Sequence, residues 1–158
     1  VRKGALQLFC ALMVATGVTF AECFDRKCFR DFQAFLVSFF AHARSLGVKV
    51  LHIILDSAST HAPKQLIGWL ASLDITLEVH IYWLPRYASW LDQAEIIFSK
   101  LQRDLLTPSD FDSKGELEDG IMDYFAELNR NPSPVKWTYT KAKFVAKFCP
   151  DQDNQLVA

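Results

Sequence analysis

Apolar residues along this chain fall into blocks with two different periods, separated by turn residues. Residues 5–14 are almost continuously apolar, as in a central strand covered on both faces. Ala15-Thr16-Gly17 is a turn signal, and 18–24 then reads as the hairpin partner of that strand. From Cys28 to Leu46 the period changes: Phe29, Phe32, Leu36, Phe39, Phe40, Ala43 and Leu46 recur at helical spacing, and Gly47 is placed to end the helix. Val48–Leu55 is a β-branched apolar run that predicts a buried strand, stopping abruptly at Asp56. Pro63 suits the first turn of a helix reaching about Leu73, and Thr76–Leu84 is a further strand. After the loop 85–90, Leu91–Leu106 is helical, with Ala94, Ile97, Phe98, Leu101 and Leu105 on one side. Ser113-Lys114-Gly115-Glu116 is a capping box, opening a helix whose inward residues are Leu117, Ile121, Tyr124, Phe125 and Leu128. Asn131-Pro132-Ser133-Pro134 breaks that helix, a short one is expected at 140–148, and the tail 149–158 reads as loose. The order predicts one mixed α/β domain over 1–148 built on one central sheet.

Composition narrows the class. With 51% hydrophobic and 22% charged residues, the 158-residue chain is globular rather than disordered. Its net charge of −1 lacks the strongly basic signature of simple nucleic-acid binders. That sum hides a split: residues 1–50 carry 7 basic and 3 acidic groups, whereas 108–130 carry 2 and 7. The opening Arg2-Lys3 and apolar run imitate a secretory signal, but the turn and second strand that follow at once favour a hairpin. No apolar run approaches the roughly 20 residues needed to cross a bilayer. The four cysteines form no CxxC pair and no zinc-type cluster, so a reduced, cytoplasmic setting is expected.

Two acids stand where chemistry is usually placed. Sites in open α/β sheets form at the carboxyl ends of strands, and Asp56 directly follows an apolar strand. A helix cap or turn explains its position equally well. Glu95 lies near the start of a predicted helix, where the helix dipole favours acids in any case. Asp92 precedes it by three residues, on the same helical face. Asp56 and Glu95 would converge if the strand end and the helix start lie side by side.

Beyond these acids an ordered series of motifs runs through the chain. Asp56-x-x-x-x-His61 comes first, then Leu84-Pro85-x-Tyr87-x-Ser89-Trp90-Leu91-x-x-x-Glu95. Phe98-Ser99-Lys100-Leu101 and Asn131-Pro132-x-Pro134-x-x-Trp137-Thr138 complete it. The series resembles the catalytic domain of mariner-type insertion-sequence transposases, the D-D-E enzymes with an RNase H-like fold. That resemblance implies cutting of DNA at transposon ends and joining of the 3′ hydroxyls to target DNA, with two Mg²⁺ (or Mn²⁺) ions held by carboxylates. Oxygen ligands suit such hard cations, and two ions about 4 Å apart serve an in-line displacement. By the same resemblance Asp56 is the second catalytic carboxylate and metal ligand and Glu95 the third, with Asp92 a further candidate ligand where relatives usually carry Asn. Arg86, Tyr87 and His61 are candidate DNA contacts, and the complete enzyme would be a homodimer in the bacterial nucleoid.

The family's first Asp lies on a strand upstream of the hairpin, and no acid occurs here before Glu22. The expectation is therefore an RNase H-like sheet with its first strand missing, N-terminally truncated and unable to cleave DNA alone. The alternative is a decayed relative that at most binds DNA or self-associates.

Overall fold

The computed structural model describes residues 4–85 and 93–134. Gln7–Leu12 (β1) and Thr19–Phe24 (β2) form the expected antiparallel hairpin. Its turn closes through the Gly17 N–H and the Met13 carbonyl at 2.7 Å, with Gly17 at φ +79°. Phe29–Ser45 (α1) follows, and Gly47 at φ +77° ends it as its position in the sequence predicts. Val50–Leu55 (β3), Pro63–Ser72 (α2) and Glu78–Trp83 (β4) form a β-α-β unit whose strands pair in parallel. Ala94–Leu101 (α3) runs into a π-helical turn at Gln102–Leu106, and Lys114–Leu128 (α4) closes the described chain. Ser113 caps α4 by accepting the Glu116 N–H at 3.1 Å, but Glu116 reaches the N–H of Asp112 instead of returning to Ser113.

Two expectations need correction. In place of one central sheet, the described strands form two two-stranded sheets, β1–β2 and β3–β4. Each leaves an edge of β1 and of β3 without a strand partner among the described residues. The apolar run in β3, read as a buried strand, is covered on one face only. Leu51, Ile53 and Leu55 point inward with Val79, Ile81 and Trp83, while Val50, His52 and Ile54 point out beside Glu78, His80 and Tyr82. With Val50 and Ile54 on the outward face as well as Leu51, Ile53 and Leu55 on the inward one, the run lacks the clean alternation from which one covered face can be told from two.

One helix unites the two sheets. The Phe stripe of α1 packs against Phe9 and Phe20 of the hairpin, with Phe9–Phe35 and Phe20–Phe39 ring centroids at 5.6 and 5.7 Å. The same cluster takes in the inward residues of β3 and β4 and Leu66 of α2, so α1 and α2 form one layer beneath both sheets. On the opposite side α3 and α4 cover β1–β2 through Ile97, Leu101, Ile121 and Phe125 against Leu8, Cys10, Ala21 and Cys23. The result is mixed α/β with four α-helices among the described residues.

Candidate active site

The end of β3 is where the sequence places its first candidate, and local geometry fixes that side chain. Asp56 follows Leu55 directly, and its Oδ1 accepts the Ala58 N–H at 3.1 Å, an Asx turn that starts the next segment. One 3₁₀ turn, Ser59–His61, then brings His61 back so that its Nδ1 lies 2.7 Å from Asp56 Oδ1 and 3.1 Å from the Asp56 carbonyl oxygen. The imidazole packs against Phe32 at the start of α1, ring centroids 4.6 Å apart, which holds it from the other side. Asp56 keeps 35% of its side-chain surface exposed against 18% for His61. The carboxylate is thus oriented by protein yet open to solvent. His61, expected from the sequence as a candidate DNA contact, is placed to orient Asp56.

The backbone behind this turn is strained. Ala62 takes φ +40°, a left-handed conformation costing about 1–2 kcal/mol for a residue with a Cβ. It lies between His61 and Pro63, so the strain is spent bending the chain from the Asp56 turn into α2.

Glu95 sits in the first turn of α3 and is exposed. The helix is anchored beneath it by Ile97 and Leu101, and the Ser99 hydroxyl donates to the Glu95 carbonyl at 2.9 Å. Beside it, Gln93 holds a buried Oε1 with no hydrogen-bond partner among the described residues. Among the described residues no group of three or more His, Cys, Asp or Glu is placed to hold a metal ion. Asp92, Arg86 and Tyr87 lie outside the described residues.

Asp25, past the end of β2, forms an exposed ion pair with Lys114 at the start of α4. Both lie at the Asp56 end of the molecule: Gln7 pairs with Phe24, and Phe32 joins the start of α1 to His61. That pairing spans residues 25 and 114 and has no local signal in the sequence. An apolar cavity of about 300 Å³ opens beside β1, lined by Leu6, Leu8, Phe98, Leu101, Leu106 and Ile121 among others. Gln102 is the polar residue of its lining among the described residues.

A carboxylate held at the carboxyl end of a parallel strand stands where open α/β sheets carry their sites. A family model, described as DDE superfamily endonuclease, matches residues 1–118. The chain belongs to that family. No curated protein and no solved structure matches it. Membership carries a DNA-cleaving, transposase-type domain at the general level. Among the described residues no helix is long and apolar enough to cross a membrane.

Proposed function

We propose that this chain is the catalytic portion of a mariner-type D-D-E transposase, acting on transposon-end and target DNA, with Asp56 and Glu95 as two of its metal-binding carboxylates. The observation that carries the reading is Asp56 itself: strand-terminal, partly open, and held by His61 and the Ala58 N–H in a chain of the DDE endonuclease family. The donor set fits Mg²⁺ or Mn²⁺ in kind, since both side chains are hard oxygen donors, and is short in number among the described residues, Asp92 lying outside them. When bound, such ions would activate the attacking oxygen and stabilise the leaving one. The chain's own contribution is orientation. His61 restrains the Asp56 carboxylate, and the anchored first turn of α3 presents Glu95.

A third carboxylate then has a natural position, on a strand pairing between the open edges of β1 and β3 and ending beside Asp56. Such a strand would merge two sheets, each of which is marginal as an isolated pair, over the α1 layer they already share. RNase H-like architecture is part of this proposal.

The test is nicking of supercoiled plasmid, together with Mn²⁺ binding followed by electron paramagnetic resonance. The 158-residue chain is expected to bind Mn²⁺ weakly, to lose that binding on Asp56→Asn, and to nick no DNA. Mn²⁺ binding unchanged by both Asp56→Asn and Glu95→Gln would remove the site assignment. Nicking abolished by Asp56→Asn would keep the site and overturn its incompleteness.

The open strand edges favour one alternative, a relic that self-associates or binds DNA without cutting. DNA retention in EDTA with no metal binding at Asp56 is the outcome specific to it.

A further inference from the structure

The uneven charge along the chain becomes a surface once the chain is folded. Arg26 and Lys27 stand between β2 and α1, Arg30 in the first turn of α1 and Lys64 in the first turn of α2, all four exposed. None of them forms an ion pair or hydrogen bond among the described residues. By contrast Arg103 and Arg130, on the α3–α4 side, are paired with Asp104 and Glu127. The acids nearest the four cations are already engaged: Asp25 pairs with Lys114, and Asp31 accepts the Cys28 thiol at 3.2 Å.

Helix stability does not explain these cations. A helix start carries partial positive charge and favours acids, so Arg30 and Lys64 stand against the dipoles of α1 and α2. Packing of their stems does not explain them either, since the side chains are exposed. The partner they lack is an anion from outside the chain. In a chain of the DDE endonuclease family the polyanion at hand is DNA.

Both groups of charge border Asp56. Phe32, two residues after Arg30, packs its ring on His61, and that spacing is about 3 Å along a helix axis. Lys64 follows His61 by three residues, a reach of about 11 Å at full extension. His61 in turn holds Asp56 at 2.7 Å. The opposite layer has the wrong sign, since Glu116, Asp119, Asp123 and Glu127 of α4 are all exposed.

We propose that Arg26, Lys27 and Arg30 on the α1 side and Lys64 on the α2 side grip the phosphates of the DNA strand that lies at Asp56, leaving its bases unread. This rests on the reading of Asp56 as a carboxylate that faces DNA. Phosphate contacts fix register and orientation without carrying sequence, so the strip positions the reacting bond over the carboxylate.

Fluorescence anisotropy of a labelled duplex, titrated with the 158-residue chain in EDTA at several salt concentrations, tests the strip apart from any metal site. Each lost phosphate contact flattens the plot of log affinity against log salt by about 1. Arg26→Gln, Lys27→Gln and Arg30→Gln together should flatten it by about 3, and Lys64→Gln by about 1, equally on two unrelated sequences. Arg26→Lys with Arg30→Lys should keep the slope. Arg44→Gln with Lys49→Gln removes two exposed charges at the far end of α1 and should leave it unchanged. Ser57→benzoylphenylalanine, beside Asp56, is expected to crosslink to the duplex on irradiation, and Asp123→benzoylphenylalanine on α4 is not. A slope unmoved by the four Gln changes, an equal flattening in the Arg44 and Lys49 variant, crosslinking from Asp123 in place of Ser57, or no DNA binding at low salt would overturn the proposal. If Mn²⁺ binding ignores Asp56→Asn while the slopes and the Ser57 link follow expectation, the metal site falls and the phosphate strip stands.

Discussion

The two halves of this molecule share a helix and differ in almost everything else that holds them. The β1–β2 hairpin is closed by local pairing, lies between α1 on one face and α3 and α4 on the other, and has Thr19 clamped by Asn129. The β3–β4 pair comes from a crossover through α2, rests on α1 and α2 alone among the described elements, and carries both the oriented Asp56 and the uncovered face. The better-packed half therefore presents Glu95 from α3, and the half-covered one carries the oriented Asp56. Low local stability commonly accompanies parts that must accept a ligand or partner, because those surfaces are completed only on binding.

The shared helix is where both halves are vulnerable at once. Leu36 and Phe35 lie within the single cluster that serves both sheets, so Leu36→Ala or Phe35→Ala should cost about 3–5 kcal/mol in urea unfolding. Hydrogen exchange should then rise in both sheets together. Loss confined to one half would show that α1 does not couple them. Asn129→Ala removes three hydrogen bonds to Thr19 and should cost about 2 kcal/mol. Its exchange signature should stay within β1–β2, setting that half apart from β3–β4.

On the other half, Ala62→Gly relieves the left-handed backbone beside His61. It is expected to stabilise the chain by about 1 kcal/mol, read as a raised melting temperature. A drop in stability would mean that the Ala62 methyl packs usefully despite its strain.

Two smaller effects belong to the covered half. Burial raises the Glu22 carboxyl above its ordinary value, opposed by a hydrogen bond from Ser38. The folded state then holds its proton more tightly than the unfolded one, so this residue favours folding more as pH falls through the raised value. Glu22→Gln should raise the melting temperature at neutral pH, with the advantage fading toward the ordinary 4.5. Cys23 lies on the face that meets α4, where burial, reinforced by Glu118, pushes its thiol up to about 11. Alkylation of Cys23 in the native chain at pH 8 should be about 100-fold slower than in the denatured chain, from the lost thiolate alone.

Much of the candidate site is legible in the amino-acid sequence. The stop at Asp56 marks a strand end because β-branched residues cease there, and Asp-Ser-Ala invites the Asx turn that forms. The D-x-x-x-x-H spacing is compatible with several roles for His61. Only the 3₁₀ turn and the Phe32 ring select the one in which it holds Asp56. The Asp25–Lys114 pair and the Asn129 clamp link positions about a hundred residues apart and have no local trace.

Neighbours along the chain dictate the period-3.6 Phe stripe of α1, the Gly17 and Gly47 turns, the Ser113 cap, and the strand that ends at Asp56. Which strands pair, which faces are covered and which side chains meet depend instead on tertiary contacts. The run Val50–Leu55 shows why. Apolar residues lie on both of its faces, Val50 and Ile54 on one and Leu51, Ile53 and Leu55 on the other, so composition allows a strand buried on two sides. Its outward face is open because no described helix lies above Ile54 and Tyr82. Burial is set by partners remote in sequence, and pairing by backbone groups that every residue carries alike.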